Sequence, residues 1–82
     1  MTELKCGVYE HWKGGRYLVL GLARDDRTDE ILVIYTRLYR RDGVPMTARA
    51  LSSFLDMTAD DSGNQVPRFR YVDASDSMPG VF

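Results

Sequence analysis

The chain has 82 residues, is 44% hydrophobic, and carries 11 basic and 12 acidic side chains for a net charge of −1. This length and composition predict one small globular domain and exclude a wholly disordered chain. The charge balance argues against a general binder of long polyanions, because such proteins are usually basic over the whole domain. The single cysteine, Cys6, excludes an internal disulfide and fits a reducing compartment.

The first part of the chain is typical of a β-hairpin whose turn holds two glycines. Residues 8–12 and 17–24 predict its strands, and residues 13–16 predict its turn, because glycine readily adopts the positive φ of tight turns. The second strand is apolar on both faces, which favours burial on both sides. Gly21 in its middle predicts a bulge, a bend or a close backbone approach.

A polar connector, residues 25–30, leads to the third predicted strand. That strand covers residues 31–39, which are rich in β-branched and aromatic side chains. Residues 40–44 contain an Asp-Gly pair and predict a turn. The ambiguous residues 45–49 are interpreted as a short strand.

The last part of the chain predicts one helical turn and one more strand. Residues 50–55 place apolar side chains at i, i+3 and i+4, which predicts a helical turn with Leu51, Phe54 and Leu55 in the core. Residues 56–64 predict a loop or a loose hairpin tip, and residues 66–72 the last strand. About five short strands with one helical turn predict an all-β fold, either a small barrel or a strongly bent antiparallel sheet. One domain over residues 1–72 and a flexible tail over residues 73–82 complete the prediction.

Aromatic and arginine side chains alternate along two of the predicted strands. Tyr9 and His11 share one strand face, as do Tyr35, Arg37 and Tyr39 on another strand. If the two strands approach each other, these residues form an aromatic floor with His and Arg at its rim. Such a floor suits stacking of a base or a proline ring, with arginine holding phosphate or carboxylate. The candidate ligand-binding residues are Tyr9, His11, Trp12, Arg37, Tyr39 and Arg49.

Each of these residues also has a structural interpretation. Tyrosines of small barrels usually pack their rings in the core, and this favours a packing role for Tyr9, Tyr17 and Tyr35. A histidine such as His11 is more often a hydrogen-bonded structural residue than a catalyst. Trp12 suits an exposed binding role and a lid over a barrel mouth equally well. Arginines cluster at 37–41 and 68–70, which also fits an ordinary solvated surface.

Metal and cofactor chemistry are poorly supported by the sequence. One His and one Cys cannot provide the four N or S ligands of a structural zinc site. Cys6 and His11 are five positions apart in the sequence, and an odd spacing would make them point to opposite faces of a regular strand. No phosphate-binding or dinucleotide-binding fingerprint is present. We therefore expect no metal, no cofactor and no catalytic residues.

The sequence also bears on location. No apolar run is long enough to span a membrane, and the N-terminus has no hydrophobic signal segment. These features predict a cytoplasmic protein without a membrane partner.

A set of spaced residues extends over most of the chain. It comprises Gly7-x-Tyr9-x-His11-x-Lys13-Gly14, Tyr17-x-Val19-Leu20-Gly21-x-Ala23, Thr28, Val33-x-Tyr35-x-x-Leu38-Tyr39, Phe54 and Val66-Pro67-Arg68-Phe69. Over about residues 7–72 the combination resembles the bacterial domain-of-unknown-function family numbered sixteen fifty-three. The resemblance implies a small SH3-like β-barrel and brings no established activity, substrate or catalytic residue.

The chain departs from that family's pattern before the Phe54 turn. Thr47 stands where the family usually has Trp, and Arg49-Ala50 stands where it usually has Arg-Pro. If that aromatic residue closes a pocket in the family, the resemblance implies a more open pocket in this chain.

Three hypotheses about function follow. The first is a small binding module that recognises a nucleotide, an RNA segment or a short peptide on an aromatic and arginine surface. The alternative is a protein–protein interaction or self-association domain without a small ligand, as a monomer or weak homodimer. The third is an enzyme that uses His11 as acid or base, which requires a perturbed His11 pKa in a concave pocket. The first is preferred, so we expect a binding protein rather than an enzyme.

Overall fold

The computed structural model describes residues 4–73, which form seven strands and one short helix. Asp73 ends the last strand, and the remainder of the predicted tail, residues 74–82, lies outside the described residues. The elements in chain order are β1 (Gly7–His11), β2 (Arg16–Arg24), β3 (Ile31–Arg37), β4 (Met46–Ala50), α1 (Leu51–Phe54), β5 (Met57–Ala59), β6 (Gln65–Pro67) and β7 (Phe69–Asp73).

Five of the strands form one antiparallel sheet in the order β4-β3-β2-β1-β7, and β5 pairs with β6 in a separate hairpin. This confirms the predicted all-β fold, with a five-stranded antiparallel sheet and one short helix. The sheet is not closed into a barrel, because β4 and β7 are its two edges. The helix has four residues, and no helix within residues 4–73 is long and apolar enough to cross a membrane.

A β-bulge in β2 changes which side chains face the core. Opposite β3, Val19 pairs with Tyr35 but Gly21 pairs with Ile34, so the intervening residue is extra. The bulge predicted at Gly21 is confirmed. Regular alternation along β2 would place Leu22 on the face opposite Val19, but the bulge shifts the alternation by one residue and places Leu22 beside Val33, on the face of Val19.

Burial of β2 on both faces is found at Leu18 and Val19, neighbouring residues that are 6% and 1% exposed. Beyond the bulge the prediction is wrong, since Leu20 is 47% and Leu22 is 39% exposed. The apolar side chains of β2 that follow Val19 therefore remain in contact with solvent.

Several predicted element ends also differ from the structure. The strand predicted to reach Trp12 ends at His11, because the Gly14 N–H donates to the His11 carbonyl and starts the turn there. The strand predicted over residues 66–72 is two strands, β6 and β7, separated at Arg68. The Arg68 N–H donates to Asp56 while its carbonyl accepts from Trp12, so the chain passes between the two sheets at this residue. The predicted loop 56–64 accordingly contains β5.

An aromatic cluster under α1 forms the core. Phe54 is 1% exposed, and its ring stacks on Phe69 with the centroids 4.2 Å apart. The rings of Tyr9 and Tyr35 pack against Phe54 from the sheet. Leu51 is buried as predicted, whereas Leu55 is 57% exposed, because the helix ends at Phe54 and Leu55 lies at its C-cap. We call the sheet face beneath α1 the core face.

Candidate functional site

The register of the sheet places most of the candidate residues on the core face. Tyr9 pairs with Tyr17, and Tyr17 pairs with Arg37 on the next strand. Directly paired residues of antiparallel strands point to the same face. His11, which lies opposite Phe69 in β7, joins them. The two predicted sets of side chains therefore share a single face as far as Arg37, where β3 ends; Tyr39, which was predicted on the same strand, lies after it.

Tyr9 lies inside the core. Its side chain is 6% exposed, its hydroxyl donates to the Lys5 carbonyl at 2.8 Å, and its ring packs edge-on against Phe54 and Tyr71. Burial, with smaller contributions from Tyr71 and Cys6, raises the pKa of Tyr9. Because its ring is enclosed, Tyr9 is not part of the site that we propose below.

Arg37 holds the loop between β3 and β4. Its guanidinium donates to the carbonyls of Arg41 and Gly43 at 2.6 Å each and to that of Val44 at 3.0 Å. A guanidinium has several N–H donors in a fixed plane, so a single arginine can bind three loop carbonyls at once. Arg37 is therefore engaged by the protein's own backbone and shapes the loop.

We expect Arg37→Gln to lower the free energy of unfolding by about 1 kcal/mol, since the hydrogen bonds from the charged guanidinium to the loop carbonyls are lost at a partly exposed site. Amide hydrogen exchange should accelerate over residues 40–44, and urea denaturation should report the stability loss. Arg40→Gln is the matched control, because Arg40 is exposed; it should change stability by less than about 0.5 kcal/mol. Equal effects of the two variants would contradict the role of Arg37.

Arg49 ties α1 to the sheet. Its Nε donates to the Tyr35 hydroxyl at 3.3 Å and another guanidinium nitrogen donates to Ser53 Oγ at 2.8 Å. The guanidinium also lies over the Phe69 ring, 5.6 Å from its centroid. These contacts give Arg49 a structural position at the border of the aromatic cluster.

A cleft of about 640 Å³ opens where the aromatic cluster ends, between the β1–β2 turn and the segment after β3. We call it the turn cleft. No carboxylate of residues 4–73 lines it, although Glu10 lies 3.8 Å from Arg16. Its polar side chains are His11, Lys13, Arg16, Tyr17, Tyr39 and Arg41.

Two glycines of the β1–β2 turn shape this cleft for different reasons. Gly14 has φ = +109°, a conformation that residues with a Cβ rarely adopt. Gly15 leaves room for a ring, because a Cβ there would lie 3.0 Å from Cε1 of Tyr39. The turn is closed by the His11 N–H, which donates to the Gly15 carbonyl at 2.7 Å.

Tyr17 and Tyr39 form a hydrogen-bonded pair on the wall of the turn cleft. Their hydroxyl oxygens are 2.5 Å apart and their rings meet edge-on at 5.5 Å. Burial and the bond to Tyr39 raise the pKa of Tyr17 to about 12. The same bond and the nearby Arg41 guanidinium lower the pKa of Tyr39. The partly buried Tyr17 thus fixes the ring of Tyr39, which remains 38% exposed.

His11 lies at the inner end of the turn cleft among positive charges. Its ring packs edge-on against Phe69 at 5.0 Å, and its Nδ1 accepts from the Lys13 N–H at 3.1 Å. Burial lowers the pKa of His11, and the charges of Arg49, Lys13 and Arg68 lower it further. A neutral imidazole whose Nδ1 accepts carries its proton on Nε2.

Arg68 adds an unsatisfied donor to this region. Its Nε is buried and has no hydrogen-bond partner among the described residues. A buried N–H without a partner is costly. Arg68 does not line the turn cleft, so this donor is not part of its lining.

Trp12 lies on the other side of the turn. Its ring is 6.0 Å from that of His11, and it lines a pocket with Lys13, Asp60 and Asp61 near the β5–β6 hairpin. Of the six candidates, the structure brings His11 and Tyr39 to the turn cleft, with Arg37 supporting the adjoining loop, and His11 and Trp12 to a smaller pocket of about 360 Å³. Tyr9 and Arg49 line neither.

The comparisons with known proteins agree with the fold. The model of a family described as proteins of unknown function, DUF1653, matches residues 7–71. The chain belongs to the DUF1653 family. This confirms the resemblance seen in the sequence. Among solved structures, the crystal structure of a DUF1653 protein from Bordetella bronchiseptica is similar, with 49% identity and a TM-score of 0.83 over 88% of this chain and 91% of that one. Comparison with the curated proteins finds no match.

Within this DUF1653 chain, Thr47 pairs with Tyr35 and is exposed at the position where the resemblance leads us to expect Trp. Sequence reasoning did not select Lys13, Arg16, Tyr17 and Arg41 as ligand-binding candidates. The register set by the two-glycine turn would have indicated Tyr17, since Tyr17 lies opposite Tyr9. Arg41 carries no such signal, because its position depends on the path of the chain after β3.

Proposed function

We propose that this domain is a small binding module for a ligand that joins an anionic group to a planar ring, as a nucleotide does. The observation that carries the proposal is the turn cleft, which places Lys13, Arg16 and Arg41 around the exposed ring of Tyr39 without a carboxylate among the described lining residues. The cations suit phosphate and the ring suits a base.

The anionic group is best held by Arg41. It is exposed and lines the turn cleft, whereas the charge of Arg16 is partly offset by Glu10. The Lys13 ammonium lies 5.3 Å from the centroid of the Trp12 ring, and Lys13 also lines the pocket that contains two aspartates. Like charges that share a cleft repel each other, and a bound anion relieves that repulsion. His11 at the inner end adds an Nε2–H donor in its neutral form.

The planar ring is best received by Tyr39. Its side chain is held by the Tyr17 hydroxyl and abuts Gly15, so little side-chain freedom remains to be lost on binding. Stacking of a base on an aromatic side chain contributes about 1–3 kcal/mol. A net charge of −1 limits long-range attraction of nucleic acid, which fits a small or short ligand.

A catalytic role for His11 has less support. The pKa of His11 is lowered and its side chain lines a cleft, and both are features expected of a catalytic acid or base. However, no Ser, Thr or Cys within residues 4–73 lines the turn cleft, and Nδ1 is engaged by the Lys13 amide. The geometry therefore favours binding over catalysis.

Self-association through β4 is a second candidate function. This strand is an edge of the sheet, Met46 in it is 51% exposed, and Val44 just before it is 81% exposed. An uncovered edge strand pairs readily with another strand. Sedimentation that depends on protein concentration, and that Met46→Lys abolishes, would favour this role.

An amide-shift NMR titration with adenosine, guanosine, cytidine and uridine monophosphates tests the binding proposal. Shifts should concentrate at residues 11–17 and 38–41. Tyr39→Ala and Arg41→Gln should each weaken binding by about tenfold, because each removes roughly 1.4 kcal/mol of stacking or ionic attraction. Arg27→Gln, on the exposed β2–β3 connector, is the charge-matched control and should bind as the unmodified protein does. No shifts with any monophosphate or with a short oligonucleotide would overturn the proposal.

A further inference from the structure

A second cleft lies beside the turn cleft on the other side of Tyr39. Its volume is about 730 Å³, and its lining includes Arg37, Arg40 and Asp42 from the β3–β4 segment. We call it the loop cleft. Tyr39 and Arg41 line both clefts, so the two are neighbours with the Tyr39 ring and the Arg41 side chain between them.

The backbone around the loop cleft is held in place by the protein itself. The Arg37 guanidinium donates hydrogen bonds to the carbonyls of Arg41, Gly43 and Val44, so its donors are already used within the loop. This leaves Arg40 and Arg41, both exposed, as the cations that the loop cleft presents to a ligand. Asp42 is the acidic residue in its lining and reduces the local positive charge.

The order of chemical groups across the two clefts is cation, aromatic ring, cation. Lys13 and Arg16 lie on one side, Tyr39 in the middle and Arg40 on the other side, with Arg41 shared. Sites for single-stranded nucleic acid have this order, because a basic groove follows the phosphates while successive bases stack on aromatic side chains. A free mononucleotide has one phosphate position relative to its base and would leave one of the clefts unused.

We infer that the ligand is a short single-stranded oligonucleotide with at least two phosphates, such as a 5′-phosphorylated dinucleotide or a trinucleotide, which places a base at Tyr39 and a phosphate in each cleft. The inference rests on the proposed function and extends it from one cleft to two. The ligand is short because the two clefts share one aromatic ring and the chain as a whole carries a net charge of −1.

A ladder of fluorescein-labelled ribo- and deoxyribo-oligonucleotides, from two to six nucleotides, tests the inference by anisotropy at fixed low ionic strength, with unlabelled mononucleotides as competitors. Affinity should rise by about tenfold from a mononucleotide to a 5′-phosphorylated dinucleotide or a trinucleotide, as a second phosphate contact forms, and change little thereafter. The ribo and deoxyribo arms show whether the 2′-hydroxyl contributes.

Arg40→Gln is the decisive variant, because Arg40 lines the loop cleft but not the turn cleft. It should weaken oligonucleotide binding about fivefold or more and leave mononucleotide competition unchanged. The slope of log affinity against log salt should fall by about 0.7, the value for one phosphate contact on a single strand. Arg27→Gln again serves as the charge-matched control and should retain the full slope.

The outcomes separate the two proposals. If mononucleotides bind as tightly as oligonucleotides, or if Arg40→Gln binds oligonucleotides normally, the two-cleft inference is overturned while the binding function stands. If neither mononucleotides nor oligonucleotides bind, the proposed function is overturned as well. Preferential binding of a phosphorylated peptide of equal charge would likewise overturn the assignment to nucleic acid.

Discussion

Phe54→Ala is expected to lower the free energy of unfolding by about 3–5 kcal/mol, the usual cost of removing a fully buried phenyl ring. The Phe54 side chain is 1% exposed and its ring stacks on Phe69 at 4.2 Å. Tyr9 and Tyr35 pack on it from the sheet, so its removal leaves a cavity that three rings line. The four-residue helix has little stability of its own and depends on this anchor.

Urea denaturation followed by tyrosine and tryptophan fluorescence measures this loss. A domain of this size typically has a total stability near the lower part of the roughly 5–15 kcal/mol range, so the variant should be largely unfolded at moderate temperature. Leu55→Ala is the matched control, because this neighbouring side chain is 57% exposed; it should cost less than about 1 kcal/mol. Phe54→Leu should fall between the two. Similar losses for Phe54→Ala and Leu55→Ala would contradict the assignment of the core.

Local sequence patterns were sufficient for much of the fold. The two-glycine turn predicts the β1–β2 hairpin, and alternation predicts that Tyr9 and His11 share a face. Both signals are local, because turn geometry and strand periodicity depend on neighbouring residues. The division of residues 66–72 at Arg68 depends on hydrogen bonds to Asp56 and Trp12 from distant parts of the chain, and no local pattern predicts it.

The candidate site was predictable only in part, for a similar reason. Periodicity placed Arg37 on the correct face, but which acceptors its guanidinium meets depends on how the loop after it folds back. The same loop brings Tyr39 over Tyr17 and Arg41 beside both. Sequence patterns thus indicate which face of the sheet carries the chemistry, whereas the loop path decides which side chains are available to a ligand.

Binding of a trinucleotide is expected to tighten as the pH falls, because His11 lines the turn cleft together with the cations that would bind one of its phosphates. In the unliganded protein, burial and the charges of Arg49, Lys13 and Arg68 hold the pKa of His11 below its ordinary value of 6.5. A phosphate in the turn cleft adds negative charge near these cations and raises the pKa of His11. A group whose pKa is higher in the complex takes up a proton on binding, so affinity increases with acidity.

The size and range of the effect follow from the two pKa values of His11. The gain in affinity begins as the pH falls through the value in the complex and is complete below the depressed value in the unliganded protein. A difference of one pKa unit corresponds to about tenfold in affinity, or roughly 1.4 kcal/mol. A trinucleotide without terminal phosphates is the proper ligand, because its two phosphodiesters keep a constant charge over this range and the change in affinity then reports the protein alone.

The protein's own stability changes with pH in the opposite direction. In the unfolded chain His11 has its ordinary pKa, above its value in the folded protein. The stability contribution of neutral His11 is therefore present above pH 6.5 and is lost as the pH falls through the folded pKa. Anisotropy titrations should accordingly be confined to pH values at which circular dichroism shows the fold intact.

His11→Gln separates the binding effect from general electrostatics. Glutamine retains an N–H donor but does not titrate, so the variant should bind the trinucleotide at neutral pH nearly as well and lose the increase on acidification. If affinity rises equally in both proteins, another group takes up the proton. If the unmodified protein shows no rise while Arg41→Gln still weakens binding, the phosphate lies at the outer, arginine side of the turn cleft, away from His11.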